Sequence, residues 1–221
     1  MDKLDRKVNE MKKNNQNNEN PPIFINLTYY PIFSLGPGTR VGIWFQGCSI
    51  RCEKCIAPYS WELKDEYKIS VKSIIRKILK FKKNGCDSMT ISGGEPFDQP
   101  AALCKLVSSL KINGFNDILV YSGYRFDYLK SHHSEILKNI DVLIDGPFVY
   151  GMESSYNYKG SENQNIIFLN DDARIKEKYA GYCLDKKENR DLQVIGVDEK
   201  VYVIGIPRQS DTDIIKAGGI K

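Results

Sequence analysis

Two spacings of apolar residues alternate along this chain. Short apolar runs bounded by glycine or proline predict strands at Val41 to Phe45, Ser88 to Ser92, Ile118 to Ser122, Asp141 to Asp145 and Ile166 to Leu169. Between them the period changes to that of a helix. Ser70 caps a helix running to about Lys83, with Ile74, Ile75, Ile78 and Leu79 on one face and Asn84-Gly85 as its stop. Asp98 is the expected cap of the next, where Leu103, Leu106, Val107 and Leu110 recur at helical spacing before Asn113-Gly114. A third helical stretch follows Ser122-Gly123 and ends near Asn139. Upstream, Ile23 to Tyr30 alternates well enough for an edge strand, and Leu35-Gly36-Pro37-Gly38 is a turn.

The two ends differ from this middle. Residues 1–20 are rich in Lys, Asn and Glu, bury too little apolar surface to offset the entropy of ordering, and read as a disordered tail or short frayed helix. Residues 171–221 form an extension: Arg174 to Tyr179 is helical, and Leu192 to Val197 pairs with Val201 to Ile206 as a hairpin turning at Asp198-Glu199. Its expected place is over the sheet edge or over the cluster that the loop after Phe45 would carry; no motif assigns it a role. Residues 21–170 make the central domain.

Repeated strand–helix units imply an α/β fold with a parallel sheet, because parallel neighbours need a right-handed crossover. Five to six such strands are too few to close an eight-stranded barrel, so an open, partial parallel β/α barrel is expected, followed by the hairpin-bearing extension. Ligands of such folds gather at the carboxyl ends of the strands. The unusual motifs all fall there: the loop after Phe45, Gly93-Gly94-Glu95-Pro96, Tyr121-Ser122-Gly123-Tyr124 and Asp145-Gly146-Pro147-Phe148.

Composition narrows the function. The 221 residues are 41% hydrophobic and 27% charged, as in an ordinary globular protein, and the net charge of +4 comes from scattered lysines, which argues against a nucleic-acid partner. No apolar stretch approaches the roughly 20 residues of a membrane span, and no signal-peptide core is seen, so no membrane partner and a cytoplasmic location are expected. In that compartment six cysteines mean thiols or metal ligands rather than disulfides.

Three of the six stand together, Cys48, Cys52 and Cys55, spaced C-x3-C-x2-C. Iron–sulfur cubanes are held by thiolates and normally take four, so a set of three leaves one iron open for chemistry. A zinc site completed from elsewhere and three plain thiols remain alternatives, although no second C-x2-C or H-x3-H is present. The only histidines, His132 and His133, are adjacent and read as exposed or lightly packed, while Cys86, Cys104 and Cys183 read as buried small hydrophobes.

With the three-cysteine loop and the Gly-Gly-Glu-Pro turn, residues 36–170 resemble the radical S-adenosylmethionine superfamily. Phe45-Gln46-Gly47-Cys48, Tyr121-Ser122-Gly123-Tyr124, Asp141 to Phe148 (DVLIDGPF) and Gly160-Ser161-Glu162-Asn163-Gln164 place the likeness nearest the activating enzymes of anaerobic ribonucleotide reductase and other glycyl radical enzymes. The resemblance implies that Cys48, Cys52 and Cys55 bind a [4Fe-4S] cluster. It implies that Gly93, Gly94 and Glu95 receive the amino group of S-adenosyl-L-methionine, with Ser122 and Asp145 also facing that cofactor. Reductive cleavage would give a 5′-deoxyadenosyl radical that takes hydrogen from a glycine of a partner glycyl radical enzyme, with flavodoxin or ferredoxin as electron donor. A small-molecule or nucleotide substrate, or a non-catalytic iron–sulfur or zinc module, are the other readings. Lys54 before the third cysteine, Lys159 before G-S-x-N-Q and the long extension depart from the family pattern and mark a divergent branch.

Overall fold

A computed structural model describes residues 20–184 and 191–218. The tail expected over residues 1–20 lies outside these, apart from Asn20, whose Oδ1 accepts a hydrogen bond from Lys72 N at 2.8 Å. The fold is mixed α/β. Seven strands form one sheet in the order β3-β1-β2-β4-β5-β6-β7, and β8-β9 is a separate antiparallel hairpin. The strands are β1 (Pro22–Ile32), β2 (Arg40–Phe45), β3 (Lys68–Ser70), β4 (Ser88–Gly93), β5 (Asp117–Tyr121), β6 (Val142–Asp145), β7 (Asn165–Phe168), β8 (Gln193–Val197) and β9 (Lys200–Ile204).

Four central strands, β2, β4, β5 and β6, are parallel, so their carboxyl ends point the same way. The crossovers between them hold helices α1 (Val71–Lys82), α2 (Pro100–Ile112), α3 (Phe126–His132) and α4 (Ser134–Leu137). Three strands depart from the parallel expectation. β1 and β7 run antiparallel to β2 and β6, and β1 is not an edge, because the three-residue β3 pairs with Pro22, Ile23 and Phe24 on its far side. The connection before β7 has no helix spanning the sheet, so the chain returns beside β6 in the opposite sense.

Each face of the sheet has its own core. On one, Val41, Ile43, Phe45, Ile91, Val120 and Leu143 pack against the helices, whose apolar stripes supply Ile74, Ile78, Leu103, Leu106 and Leu110. The other face is covered by the extension. Ile175 and Tyr179 of α5 (Ala173–Leu184) pack on Leu119, Val142 and Ile144, and Ile195, Tyr202 and Ile204 of the hairpin pack on Leu27, Ile32 and Leu35. A final helix, α6 (Gln209–Ala217), follows. The hairpin turn falls where expected, with Asp198 and Glu199 both at positive φ (47° and 61°), the backbone a two-residue turn of this hand requires.

Ser70 caps α1 as expected, its Oγ accepting from Ser73 N at 3.2 Å. Asp98 does not cap α2. That helix starts at Pro100 behind Gln99, and the Asp98 carboxylate is engaged elsewhere.

Candidate active site

The cysteine loop leaves β2 through a tied neck. Gly47 N donates to Ser60 O at 2.7 Å and Cys48 N to Trp61 O at 2.9 Å, while the fully buried Gln46 side chain donates to Tyr59 O and Glu62 O at 3.0 and 2.6 Å. Residues 46–62 therefore form a closed loop over the end of the sheet. The Gly93-Gly94 turn lies directly beneath it. Gly94 N donates to Phe45 O and Glu95 N to Gly47 O, both at 2.8 Å. A Cβ at Gly93, whose φ is +105°, would lie 2.3 Å from Phe45 N, and one at Gly94 would lie 2.1 Å from Gly47 O. Only glycine permits this approach of the two loops.

Glu95 joins the third loop. Its buried carboxylate accepts from Phe97 N (3.0 Å), Ser122 Oγ (2.9 Å) and Gly123 N (2.7 Å), so the turn after β4 is tied to the turn after β5. Burial pushes its pKa up to about 7 against the pull of those donors, and no ion pair among the described residues involves it. Asp98 makes a second tie. Its Oδ2 accepts from Ser49 N at 2.6 Å, its Oδ1 from Ser49 Oγ and Tyr124 Oη at 2.9 and 2.8 Å, and Ser49 Oγ and Tyr124 Oη lie 3.0 Å apart. This triangle was missed by sequence reasoning, which saw in Asp98 only a helix cap; its position three residues after Glu95 and the tyrosine of Tyr121-Ser122-Gly123-Tyr124 were the available signals.

One cavity of about 230 Å³ collects most of the expected site residues: Cys48, Cys52, Cys55, Gly93, Gly94, Glu95 and Ser122 all line it. Asp145 is not among them. Its carboxylate accepts from Phe126 N (2.7 Å) and from Asn165 N and Nδ2 (3.2 and 2.9 Å), bracing the loops after β5 and before β7. The Gly160 to Gln164 segment is also a brace: Gln164 Nε2 donates to Gly146 O at 2.9 Å and Asn163 Nδ2 to Pro147 O at 2.7 Å. Lys159 ahead of it is buried and paired with Glu162 Oε2 at 2.6 Å.

The three thiols are free and half-buried. Burial pushes Cys48 up to about 11, opposed by the backbone N–H groups of Arg51 and Ile50; burial likewise raises Cys52, opposed by that of Phe148. Ala57 N donates to Cys55 Sγ at 3.4 Å. N–H groups aimed at sulfur favour the thiolate, so the loop suits soft metal ligation. Among the described residues no group of three or more His, Cys, Asp or Glu side chains is arranged to hold a single metal ion. A closed zinc tetrahedron needs its ligands to meet at one point, whereas the thiolates of a cubane each bind a different iron and need not. The donor set fits the cluster, and the carboxylate of Glu95, facing no cation, fits an ammonium.

Comparison with known proteins agrees with the geometry. The model of the 4Fe-4S single cluster domain matches residues 34–167. The anaerobic ribonucleoside-triphosphate reductase-activating protein of Haemophilus influenzae is 34% identical over 152 residues, which are 63% of this chain and 95% of that protein. The protein of the same name from Enterobacteria phage T4 is 29% identical over 141 residues, 62% of this chain and 89% of its own. The pyruvate formate-lyase-activating enzyme of Clostridium pasteurianum is 31% identical over 113 residues, 49% of this chain but only 45% of that enzyme. The chain belongs to the 4Fe-4S single cluster domain family and, with the reductase-activating proteins, to the radical S-adenosylmethionine enzymes, which work with a [4Fe-4S] cluster and S-adenosylmethionine.

Proposed function

We propose that this protein is an activating enzyme that generates a glycyl radical on a partner protein, with Cys48, Cys52 and Cys55 as cluster ligands and Gly93, Gly94, Glu95 and Ser122 as the cofactor's seat. One observation carries the assignment of residues: three thiols approached by backbone N–H groups and a buried carboxylate with no ion pair among the described residues line one cavity at the carboxyl ends of the parallel strands. Held by Cys48, Cys52 and Cys55, the cluster would supply the electron for reductive cleavage of S-adenosylmethionine and so the means of taking a hydrogen atom from the substrate.

The chain's own residues bind and orient. Glu95 offers its charge to the amino group of the cofactor, and the close approach of Gly94 to Gly47 O brings that charge beside the cysteine loop. Ser122 holds the carboxylate in place through its hydroxyl. Trp44, Tyr59, Trp61 and Phe148 give the cavity an apolar lining that excludes water from a reactive centre. Asp145 acts one step removed, by fixing the loop that carries Phe148.

The open sheet, with four parallel strands ending at this cavity, is read as the partial barrel of the superfamily, residues 21–170 as its domain and 171–221 as an accessory extension. A cytoplasmic flavodoxin or ferredoxin is the proposed electron donor. Among the described residues no helix is long and apolar enough to cross a membrane.

The test is anaerobic reconstitution of the cluster, assay of 5′-deoxyadenosine, and electron spin resonance after mixing with a glycyl radical enzyme encoded beside this gene. The expected result is 5′-deoxyadenosine formation and a glycyl signal on the partner. Cofactor cleavage without any glycyl signal would turn the assignment to a small-molecule substrate; no cleavage at all would sink it.

A further inference from the structure

The extension does more than cover the second face of the sheet. Val203, Gly205, Ile206, Pro207, Gln209 and Thr212 line the same cavity as the cysteines and Glu95. All six lie beyond residue 167, where the match to the cluster-domain family ends. They are anchored rather than draped. Ser34 Oγ donates to Ile204 O at 2.8 Å, Gln193 Nε2 to Pro31 O at 2.9 Å, and Tyr202 meets Tyr59 of the cysteine loop edge to face at 6.5 Å between ring centroids. On the far side, Gln209 Oε1 accepts from Gly151 N at 2.9 Å and Gln209 N donates to Glu153 Oε1 at 3.2 Å, which joins the extension to the loop after β6.

We propose that this segment is a selectivity wall: residues Val203 to Thr212 limit what reaches the reactive centre to a slender, uncharged stretch of chain. The inference rests on the reading of the cavity as the cofactor and substrate site. The lining supports it, because the wall adds Val203, Ile206 and Pro207 to the aromatic residues that already bound the cofactor's seat. Charge supports it independently. The wall residues that line the cavity carry no charge, Arg208 and Asp211 standing outside the lining, and Lys54 is the one cation among the described lining residues, so an anionic substrate such as a nucleoside triphosphate meets little counter-charge. A main chain with hydrogen for a side chain meets no such penalty. Gln209 lines the cavity with its Nε2 buried and without an acceptor among the described residues, so a small shift of that side chain would offer a donor to an entering carbonyl.

The protein carries its own reporter. Its two tryptophans, Trp44 and Trp61, both line the cavity, so intrinsic fluorescence reads occupancy directly. The full chain is titrated with N-acetyl-Gly-Gly-Gly-amide, N-acetyl-Gly-Leu-Gly-amide and ATP, before and after anaerobic cluster loading with S-adenosylmethionine. The leucine peptide is expected to bind about tenfold more weakly than the glycine peptide, and ATP more weakly than either. Ile206→Ala should shrink the leucine penalty to about threefold or less. Gln209→Ala should weaken both peptides about fivefold and leave their ratio unchanged. Ile214→Ala, on an exposed residue outside the lining, should change nothing. Equal binding of the two peptides, no binding of either, ATP as the tightest ligand, or a ratio that Ile206→Ala leaves intact would each overturn the wall. Failure of cluster loading or of cofactor cleavage would instead overturn the reading on which it rests, while the peptide ratio on the unloaded chain remained readable.

Discussion

Both ends of the parallel strands bury carboxylates, and the protein treats Asp117 at one end and Glu95 at the other in opposite ways. At the amino ends, Asp117 accepts from the Arg40 guanidinium at 2.6 and 2.9 Å, from Lys178 Nζ at 2.7 Å and from Tyr179 Oη at 2.8 Å. Arg40 is itself fully buried, and its remaining donors meet Thr90 Oγ1 and Met89 O, both at 2.7 Å. Despite the burial penalty, those cations hold Asp117 down to about 2. At the carboxyl ends, burial raises Glu95 to about 7, its hydrogen-bond donors among the described residues all being neutral. One end is electrostatically finished. The other sets a buried carboxylate with no counter-charge among the described residues beside three cysteines in one cavity, which is how a site differs from a structural ion pair.

The largest effects should separate the ends by function. Replacing Cys48, Cys52 or Cys55 with Ala should abolish the iron–sulfur absorbance and cofactor cleavage while leaving the circular dichroism spectrum of the unloaded chain unchanged. A variant that still carried a full cluster would end the three-ligand assignment. Asp117→Ala should do the reverse, leaving Arg40 buried without its partner and costing about 3–5 kcal/mol of stability in urea unfolding. Whatever remains folded should still load the cluster.

Much of this contrast can be traced back to what a sequence can carry. The helices and parallel strands follow from local period, and Ser70, the hairpin turn at Asp198-Glu199 and the cysteine spacing are local signals too. Asp98 looked like a cap because capping is the commonest local use of an aspartate before a helix. Its real partners, Ser49 and Tyr124, are distant in sequence and meet it only when three loops close. Arg40 left no trace beyond a charged residue opening an apolar strand. The sequence left the extension two places, over the sheet edge or over the cysteine loop, and could not choose its seat for the same reason: the pairing of β8 with β9 is local, but the packing of Tyr202 and Ile204 on β1 is not. Asp145 was expected to face the cofactor only through the resemblance of its motif, and here its oxygens accept from Phe126 and Asn165.

Stability against pH should sharpen the comparison, since the two carboxylates pull in opposite directions. Asp117 is depressed in the folded state, so its contribution is present above an unfolded pKa near 3.8 and is lost as pH falls toward about 2, a change on the order of 2 kcal/mol. Glu95 is raised, so the folded chain binds the extra proton and stability falls as pH rises from about 4.5 to about 7. Urea midpoints across this range should therefore peak near pH 4 to 5 for these two groups together. Asp117→Asn should remove the acid limb, and Glu95→Gln should flatten the limb toward neutrality. A limb that persists in its own variant would assign it to other residues.

The smallest effect tests whether the ties around the cysteine loop matter before any cluster is present. Tyr124→Phe removes one hydroxyl that reaches both Asp98 and Ser49 and leaves the ring in its stack on Tyr128, 4.9 Å between centroids. Tyr124 is partly exposed, and the Asp98 bonds to Ser49 N and Oγ survive, so the local loss should be about 1 kcal/mol with global stability almost unmoved. That energy corresponds to roughly a fivefold rise in the population of a loosened loop. Alkylation of Cys48 by iodoacetamide in the unloaded chain should accelerate by a similar factor, while Cys86, buried under β4 at the finished end, should not respond. An unchanged Cys48 rate would mean that the Gly47–Ser60 and Cys48–Trp61 bonds at the neck hold the loop alone, and that the readiness of the thiols is set by β2 rather than by the loops packed on it.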